Sequence, residues 1–496
     1  MARQPAARSD VSRALVPVLV SVTLVVSVVS SLGAPLLPSV AEALSISLSS
    51  AQWSLTAALL AGAVSAPILG RLGDGPHRRE AMLGALVVVT LGGVVAGLAQ
   101  TLWLLILGRI MQGIGLGLVP IAMTAARDHL PPARAQSAIA LLSVSGAVGV
   151  GAGYPISGLI DQTFDVHAAF VFGGILTALA LVATWLVLPR SRADSGEKLD
   201  VVGAAVAAAG ISALLIGIGQ GEQWGWLSPG VLGSFAVAAV VLTWWARMQL
   251  RNPAPLVDLR QLRHRAVLGG DTAALLLGVT LYMFLTIVTE YVQTPASTGF
   301  GFGKSTLMAG VCLVPFSLTG LVASRIMTII APHFETRTIL TFGALTISVA
   351  GAFFAVLHDA YWQSCLMMGV LGIGFGFTFA AIPGVITRAV PPTEVGSTMG
   401  FYQVVRSTGF SIGSAAVASI LAADAISGSV YSGQRGYVTA AWIGTGVSVA
   451  AAVVATILSP PDEPLEARPP DRYAHDEAEL AASGIIDADF GSGEAG

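Results

Sequence analysis

Four ionisable residues stand where charge is costly: Asp271, Glu290, Arg109 and Arg406 each fall inside a long apolar run. Placing such a group within a bilayer costs a few kcal/mol or more, so each is a functional candidate by default. Of 28 carboxylates, only Asp271 and Glu290 are so placed. A carboxylate there can exchange a proton as its surroundings alternate. The two are about 28 Å apart on a straight helix and cannot form a local pair. Asp271 follows Arg265 by six residues, which suits either an interfacial residue satisfied by Arg265 or part of a gate. Glu290, in "TIVTEYVQTP", lies near the other end of its run and is either a proton carrier or an interfacial group. Arg406 sits roughly 13 Å deep, where it can pair with a carboxylate or hold an anionic substrate group. Nearby, Tyr282, Tyr291, Gln293, Tyr402 and Gln403 offer hydrogen bonds, while Trp53 and Phe401 offer ring faces suited to organic cations. Trp and Tyr also gather at membrane interfaces for unrelated reasons.

A second chemistry is suggested and then excluded. "TGFGFGKST" (residues 298–306) approaches a phosphate-cradling loop, but Thr298 stands where the first glycine is needed and no strand precedes it. The stretch reads instead as a glycine-rich turn ending near a helix start at Ser305. No nucleotide, nucleic acid, cofactor or metal is expected, and no nucleophile–base constellation suggests an enzyme. The two cysteines, Cys312 and Cys365, read as apolar fillers.

The elements that must position these residues are membrane helices. Apolar residues make up 54% of the 496 and charged ones only 11%, a composition that excludes an ordinary soluble protein. Runs long enough to span a bilayer fall near Leu15–Leu36, Trp53–Leu69, Met82–Ala99, Leu102–Thr124, Ser137–Ile160, Ala168–Leu188, Val201–Ile218, Val231–Trp245, Ala266–Val292, Thr306–Ile326, Ile339–Val356, Cys365–Ile386, Thr398–Leu421 and Val438–Leu458. With the N-terminus inside, 21 of the 25 basic residues occupy inner segments, while only Lys304 and Arg435 lie outside. That asymmetry places both termini in the cytoplasm. The bias toward Arg over Lys fits a bacterial chain, and so a bacterial plasma membrane. Residues 460–496 are Pro-rich and acidic and read as a disordered cytoplasmic tail.

The chain also repeats itself. Gly113, Gly115 and Gly117 correspond to Gly372, Gly374 and Gly376, and Pro131-Pro132 to Pro391-Pro392. Gly149 and Gly153 correspond to Gly409 and Gly413, a spacing that lets helices approach closely. This repeat predicts two six-helix bundles, over 1–188 and 261–459, with two extra helices in a linker over 189–260. Repeated bundles with a midplane site between them are an architecture of transporters. The repeat mate of Arg406 is Gly146 and that of Arg109 is Met368, so symmetry requires neither arginine.

On these motifs the chain resembles the major facilitator superfamily, and in particular its fourteen-helix branch of drug/proton antiporters. "GRLGDGPHRREAM" (70–82) resembles the signature loop between helices two and three. The resemblance implies an inner-face conformational gate of Gly70, Asp74, Arg78 and Arg79. "LGRIMQGIGLG" (107–117) resembles the fourth-helix motif, in which Arg109 would influence proton movement or substrate. "GVGAGYPISG" (149–158) resembles the fifth-helix antiport motif, with Gly149, Gly153, Pro155 and Gly158. "RNPAPLVDLRQLRHRAV" (251–267) resembles that branch's linker before helix nine. Two departures stand out: Tyr154 occupies the usual proline position, and Val29 stands where many members carry a helix-one aspartate. The resemblance implies a secondary transporter with a small-molecule substrate, here proton-coupled efflux of amphipathic organic compounds, with Glu290, Asp271 and Arg109 as coupling candidates. A narrow exporter or importer of one metabolite or lipid, and a transport-dead receptor or scaffold, remain as alternatives.

Overall fold

The computed structural model describes residues 5–33, 35–190, 199–331, 333–391, 394–426 and 431–458. The acidic tail lies outside them. In chain order the helices are α1 (Pro5–Ser31), α2 (Leu37–Ala43), α3 (Leu48–Asp74), α4 (Arg78–Gly97), α5 (Leu102–Gly113), α6 (Leu118–His129), α7 (Pro132–Thr163) and α8 (Val166–Val187). They continue with α9 (Val201–Trp224), α10 (Pro229–Arg251), α11 (Arg265–Gln293), α12 (Thr306–Ile330), α13 (Thr336–Val356), α14 (Tyr361–Ala389), α15 (Val395–Ala423) and α16 (Gln434–Leu458). Because α2 is short and α5 continues into α6, the described residues make 14 spans of membrane-crossing length. This is a multi-pass membrane protein, and the spans follow the predicted order.

Two expected helices are interrupted. The first, expected to run to Leu36, stops at Ser31, and α2 begins only at Leu37. Gly33, Pro35 and Pro38 account for the break, since Pro supplies no N–H to the helical ladder. The fourth tightens into a 3-10 turn at Ile114–Gly117 between α5 and α6. Pro120 withholds the N–H that would bond the Leu116 carbonyl, and glycines fill the turn. In the repeat-related α14, Phe379 occupies the Pro120 position and the helix runs on unbroken.

The matched glycines do matched work. A Cβ on Gly149 or Gly153 would collide with α1 around Ser27 and Ser31, and one on Gly409 or Gly413 with α11 around Leu275 and Val279. Each pair thus seats its helix against the first helix of its own bundle. The extra helices form a hairpin held by Asp200, whose carboxylate accepts from Gly203 N (2.7 Å), Gln249 Nε2 (2.8 Å) and Asn252 Nδ2 (2.9 Å). The hairpin lies along the line where α3 meets α15: Ala204, Ala207 and Ile211 of α9 share one apolar cluster with Ala63 and Ala66 of α3 and Val404 of α15. At the far end Trp226 Nε1 donates to Ser419 Oγ of α15 (2.9 Å), Trp224 packs against Trp53, and Gln223 bonds Gln52 of α3.

The 298–306 stretch is the expected glycine-rich turn before a helix start. Gly299 and Gly303 take positive φ, which glycine adopts without strain. Phe300 and Phe302 turn inward onto Tyr291, and Ser305 Oγ caps α12 by accepting from Met308 N. The cysteines correct the expectation of separate fillers: Sγ of Cys312 on α12 lies 3.4 Å from Sγ of Cys365 on α14.

Candidate functional site

The two bundles meet along two seams. One pairs α7 with α12, where Gly310 is tight against Tyr154 and Pro155, Gly158 faces Leu307, and Ser317 Oγ donates to the Val148 carbonyl (3.2 Å). Two motif residues, Pro155 and Gly158, therefore contact the opposite bundle, while Gly149 and Gly153 stay within their own.

The other seam pairs α3 with α15 and is latched at its Arg-rich end. The first turn of a helix has backbone N–H groups without intrahelical partners and the positive end of the helix dipole. Asp74, the last residue of α3, supplies the carboxylate: Oδ1 accepts from Gly396 N (2.6 Å) and Oδ2 from Ser397 N (2.9 Å), at the start of α15. Gly70, one turn earlier, permits the approach, since a Cβ there would strike the Gly396 carbonyl. The expectation that Asp74, Arg78 and Arg79 act as one gate needs correction. Arg78 instead pairs with Asp128 of α6 (2.6 Å), and Arg79 donates to the Leu188 and Trp185 carbonyls (both 2.8 Å). Both arginines thus brace the first bundle, and Asp74 alone among the three crosses the seam. Asp128 was missed because it lies 50 residues along the chain from Arg78.

Arg109 caps the broken end of α1. Its Nη1 donates to the Val29 carbonyl (3.2 Å) and to Gln112 Oε1 (2.9 Å), and Nη2 to the Ser30 carbonyl (3.2 Å). Those carbonyls are freed because α1 stops at Ser31. A cation there suits the negative end of the helix, and backbone irregular at membrane depth is tolerated because it is buried in protein. The residue whose carbonyl is taken, Val29, is the one aligned with the absent aspartate. Phe170 lies under the guanidinium at 5.6 Å.

Arg406 is 3% exposed, with its guanidinium 5.2 Å from the Phe379 ring centroid, 5.4 Å from that of Tyr402 and 5.7 Å from that of Phe410. Nη2 donates to Gln403 Oε1 (2.7 Å), while Nε and Nη1 have no hydrogen-bond partner. Tyr282 of α11 stacks on Phe410 at 4.6 Å and so backs one ring of the same cage. Each buried arginine has a glutamine three positions away, Gln112 and Gln403, a spacing that puts both on one helix face. Gln112 was readable by that spacing, whereas Phe170, Phe379 and Phe410 carried no signal among 18 phenylalanines.

The two carboxylates part company. Asp271 is 4% exposed and neither oxygen has a partner, so the expected pairing with Arg265 is not made. Gly278 faces Arg406 and Gly409, and Gly413 faces Val279, so α11 and α15 run side by side in the same direction. That register sets Asp271 about one turn closer to the Arg-rich end than Arg406. Glu290 is exposed at the opposite end. Two cavity candidates also move: Tyr291 is buried among Phe300, Phe302, Phe354, His358 and Tyr437, and Gln293 braces the turn, donating to the Thr289 carbonyl and accepting from Thr306.

Two six-helix bundles that meet along two seams, one of them latched, with a buried arginine at the meeting surface, have the architecture of a membrane transporter. The chain belongs to the Major Facilitator Superfamily, whose family model matches residues 19–414. It is 24% identical over 380 residues to a multidrug resistance protein B homolog of Mycobacterium tuberculosis, covering 74% of this chain and 68% of that one. It is 29% identical over 406 residues to the cephamycin export protein CmcT of Amycolatopsis lactamdurans, covering 77% and 80%. In fold it is similar to the proton:xylose symporter XylE, with a TM-score of 0.63 at 15% identity, covering 92% of this chain and 97% of that one.

Proposed function

We propose that this protein is a proton-driven exporter of amphipathic organic compounds, with both termini and the Asp74 latch on the cytoplasmic side, and bundle boundaries near residues 188 and 261. The names of its relatives support export. The observation that carries the coupling is Asp271, a carboxylate enclosed in the second bundle with both oxygens unpaired. Burying an unpaired charge is far costlier than burying a neutral acid. Asp271 therefore holds its proton while the cytoplasmic end is latched, and releases it when separation of α3 from α15 admits water. It stands in for the helix-one aspartate that Val29 replaces. Glu290, open to solvent in the latched form, is not assigned this role.

The test is efflux of a fluorescent amphipathic dye from cells overproducing the protein. Efflux is expected to collapse with a protonophore and to continue under ATP depletion while the proton gradient is maintained. Efflux that ignores the protonophore overturns the coupling. Asp271→Asn is expected to abolish uphill efflux and leave downhill exchange.

A further inference from the structure

Three of the five guanidinium N–H donors of Arg406 are without a partner, one on Nε and two on Nη1, although the side chain is 97% buried. Buried arginines are ordinarily paired with a carboxylate. Arg78 has such a partner in Asp128, whereas Arg406 is paired with no carboxylate among the described residues. Gln403 satisfies part of Nη2 and three rings supply faces, which leaves a cation desolvated and uncompensated.

Its direction is informative. A Cβ on Gly146 would lie 3.6 Å from Arg406 Nη2. The Nη2 end of the guanidinium thus reaches across to α7 of the other bundle, at the very position its repeat relates it to. Glycine there leaves no side chain in between, and Ser27 of α1 sets its hydroxyl 3.7 Å from the same point. When the bundles part, this surface is what they uncover.

We propose that Arg406 is the anion-recognition group of the transport site, taking an organic carboxylate attached to an apolar, aromatic body. The carboxylate would receive the free N–H donors, and the body would lie against Phe379, Tyr402 and Phe410. Charge-assisted bonds from a planar guanidinium suit a carboxylate better than a point charge does. A cationic compound would instead meet like charge in a desolvated setting. This inference deepens the proposed export function and rests on it.

The test uses two dyes that share a xanthene scaffold and differ in charge: anionic fluorescein and cationic rhodamine 123. Efflux is measured from cells producing wild type, Arg406→Gln and Arg406→Lys at equal levels, each checked for a monodisperse peak after purification. Wild type is expected to export fluorescein in preference to rhodamine 123. Arg406→Gln should raise the KM for fluorescein at least tenfold, and Arg406→Lys should recover part of that loss. Export of rhodamine 123 alone, or fluorescein export untouched by Arg406→Gln, overturns the anion site while leaving export intact. Equal loss of both dyes in a well-folded Arg406→Gln assigns Arg406 to structure and also overturns it. Export of neither dye by wild type counts against both readings.

Discussion

Replacing Asp74 by Asn should unlatch one end of the transporter by an amount that can be worked out. The carboxylate accepts two backbone N–H bonds, 2.6 and 2.9 Å, at the start of α15. Hydrogen bonds to a charged group contribute about 1.5–3 kcal/mol each, against about 0.5–1.5 for neutral ones. Asn retains one carbonyl oxygen and no charge, so it keeps about 1 kcal/mol of a total of about 3–6, and it also forfeits the attraction to the helix dipole. Because Asp74 is part-exposed, the lower end applies: a loss of about 2 kcal/mol, or roughly a 30-fold shift from latched toward open. Spin labels at Glu80 on α4 and Arg337 on α13, both exposed, would report this by pulsed electron–electron distance measurement after Cys312 and Cys365 are replaced by Ser. The expected result is a growing long-distance population in Asp74→Asn. A distance distribution that matches the parent within about twofold in population would refute the latch.

Other perturbations follow from the same contacts. Gly70→Ala should mimic Asp74→Asn in the distance measurement, because its methyl meets the Gly396 carbonyl rather than a movable side chain. Arg109→Ala uncaps α1 and strips Gln112 of its partner; a loss of about 1–3 kcal/mol is expected from the buried acceptors left unpaired, seen as a lower Tm in detergent, while Arg109→Lys recovers only part. Glu290→Gln should leave protonophore-sensitive efflux within about twofold of wild type, since that residue is solvent-exposed; its loss would move the proton role from Asp271 to Glu290. Mild oxidation should join Cys312 to Cys365 and protect both from alkylation without slowing efflux, because α12 and α14 lie in the same bundle and need not move apart.

Much of this was legible in the chain. Spans declare themselves by length and apolarity, and a repeat of glycines and prolines shows which helices correspond, so the two-bundle plan with a hairpin between could be read directly. The charged residues in those spans could be found too, because four ionisable groups in apolar runs stand out by type alone. What could not be read was which of them face one another. Asp74 finds its partners more than 320 residues away, and they are backbone N–H groups with no side-chain signature. Arg78 and Arg79 sit beside Asp74 in sequence yet turn away from the seam. Tyr291 and Tyr402 look alike in sequence, but one fills an aromatic cluster at the bundle end and the other lies beneath Arg406.

The hairpin of α9 and α10 covers only one of the two seams. Along the α7–α12 flank the helices show Val311, Leu318, Val322 and Ile329 outward, with no covering helix among the described residues. A lipophilic compound dissolved in the bilayer therefore meets unequal sides. Toward α3 and α15 it is fenced off by two further helices, and toward α7 and α12 it touches the seam between the bundles itself. The two added crossings thus give an otherwise pseudo-symmetric molecule a front and a back within the plane of the membrane.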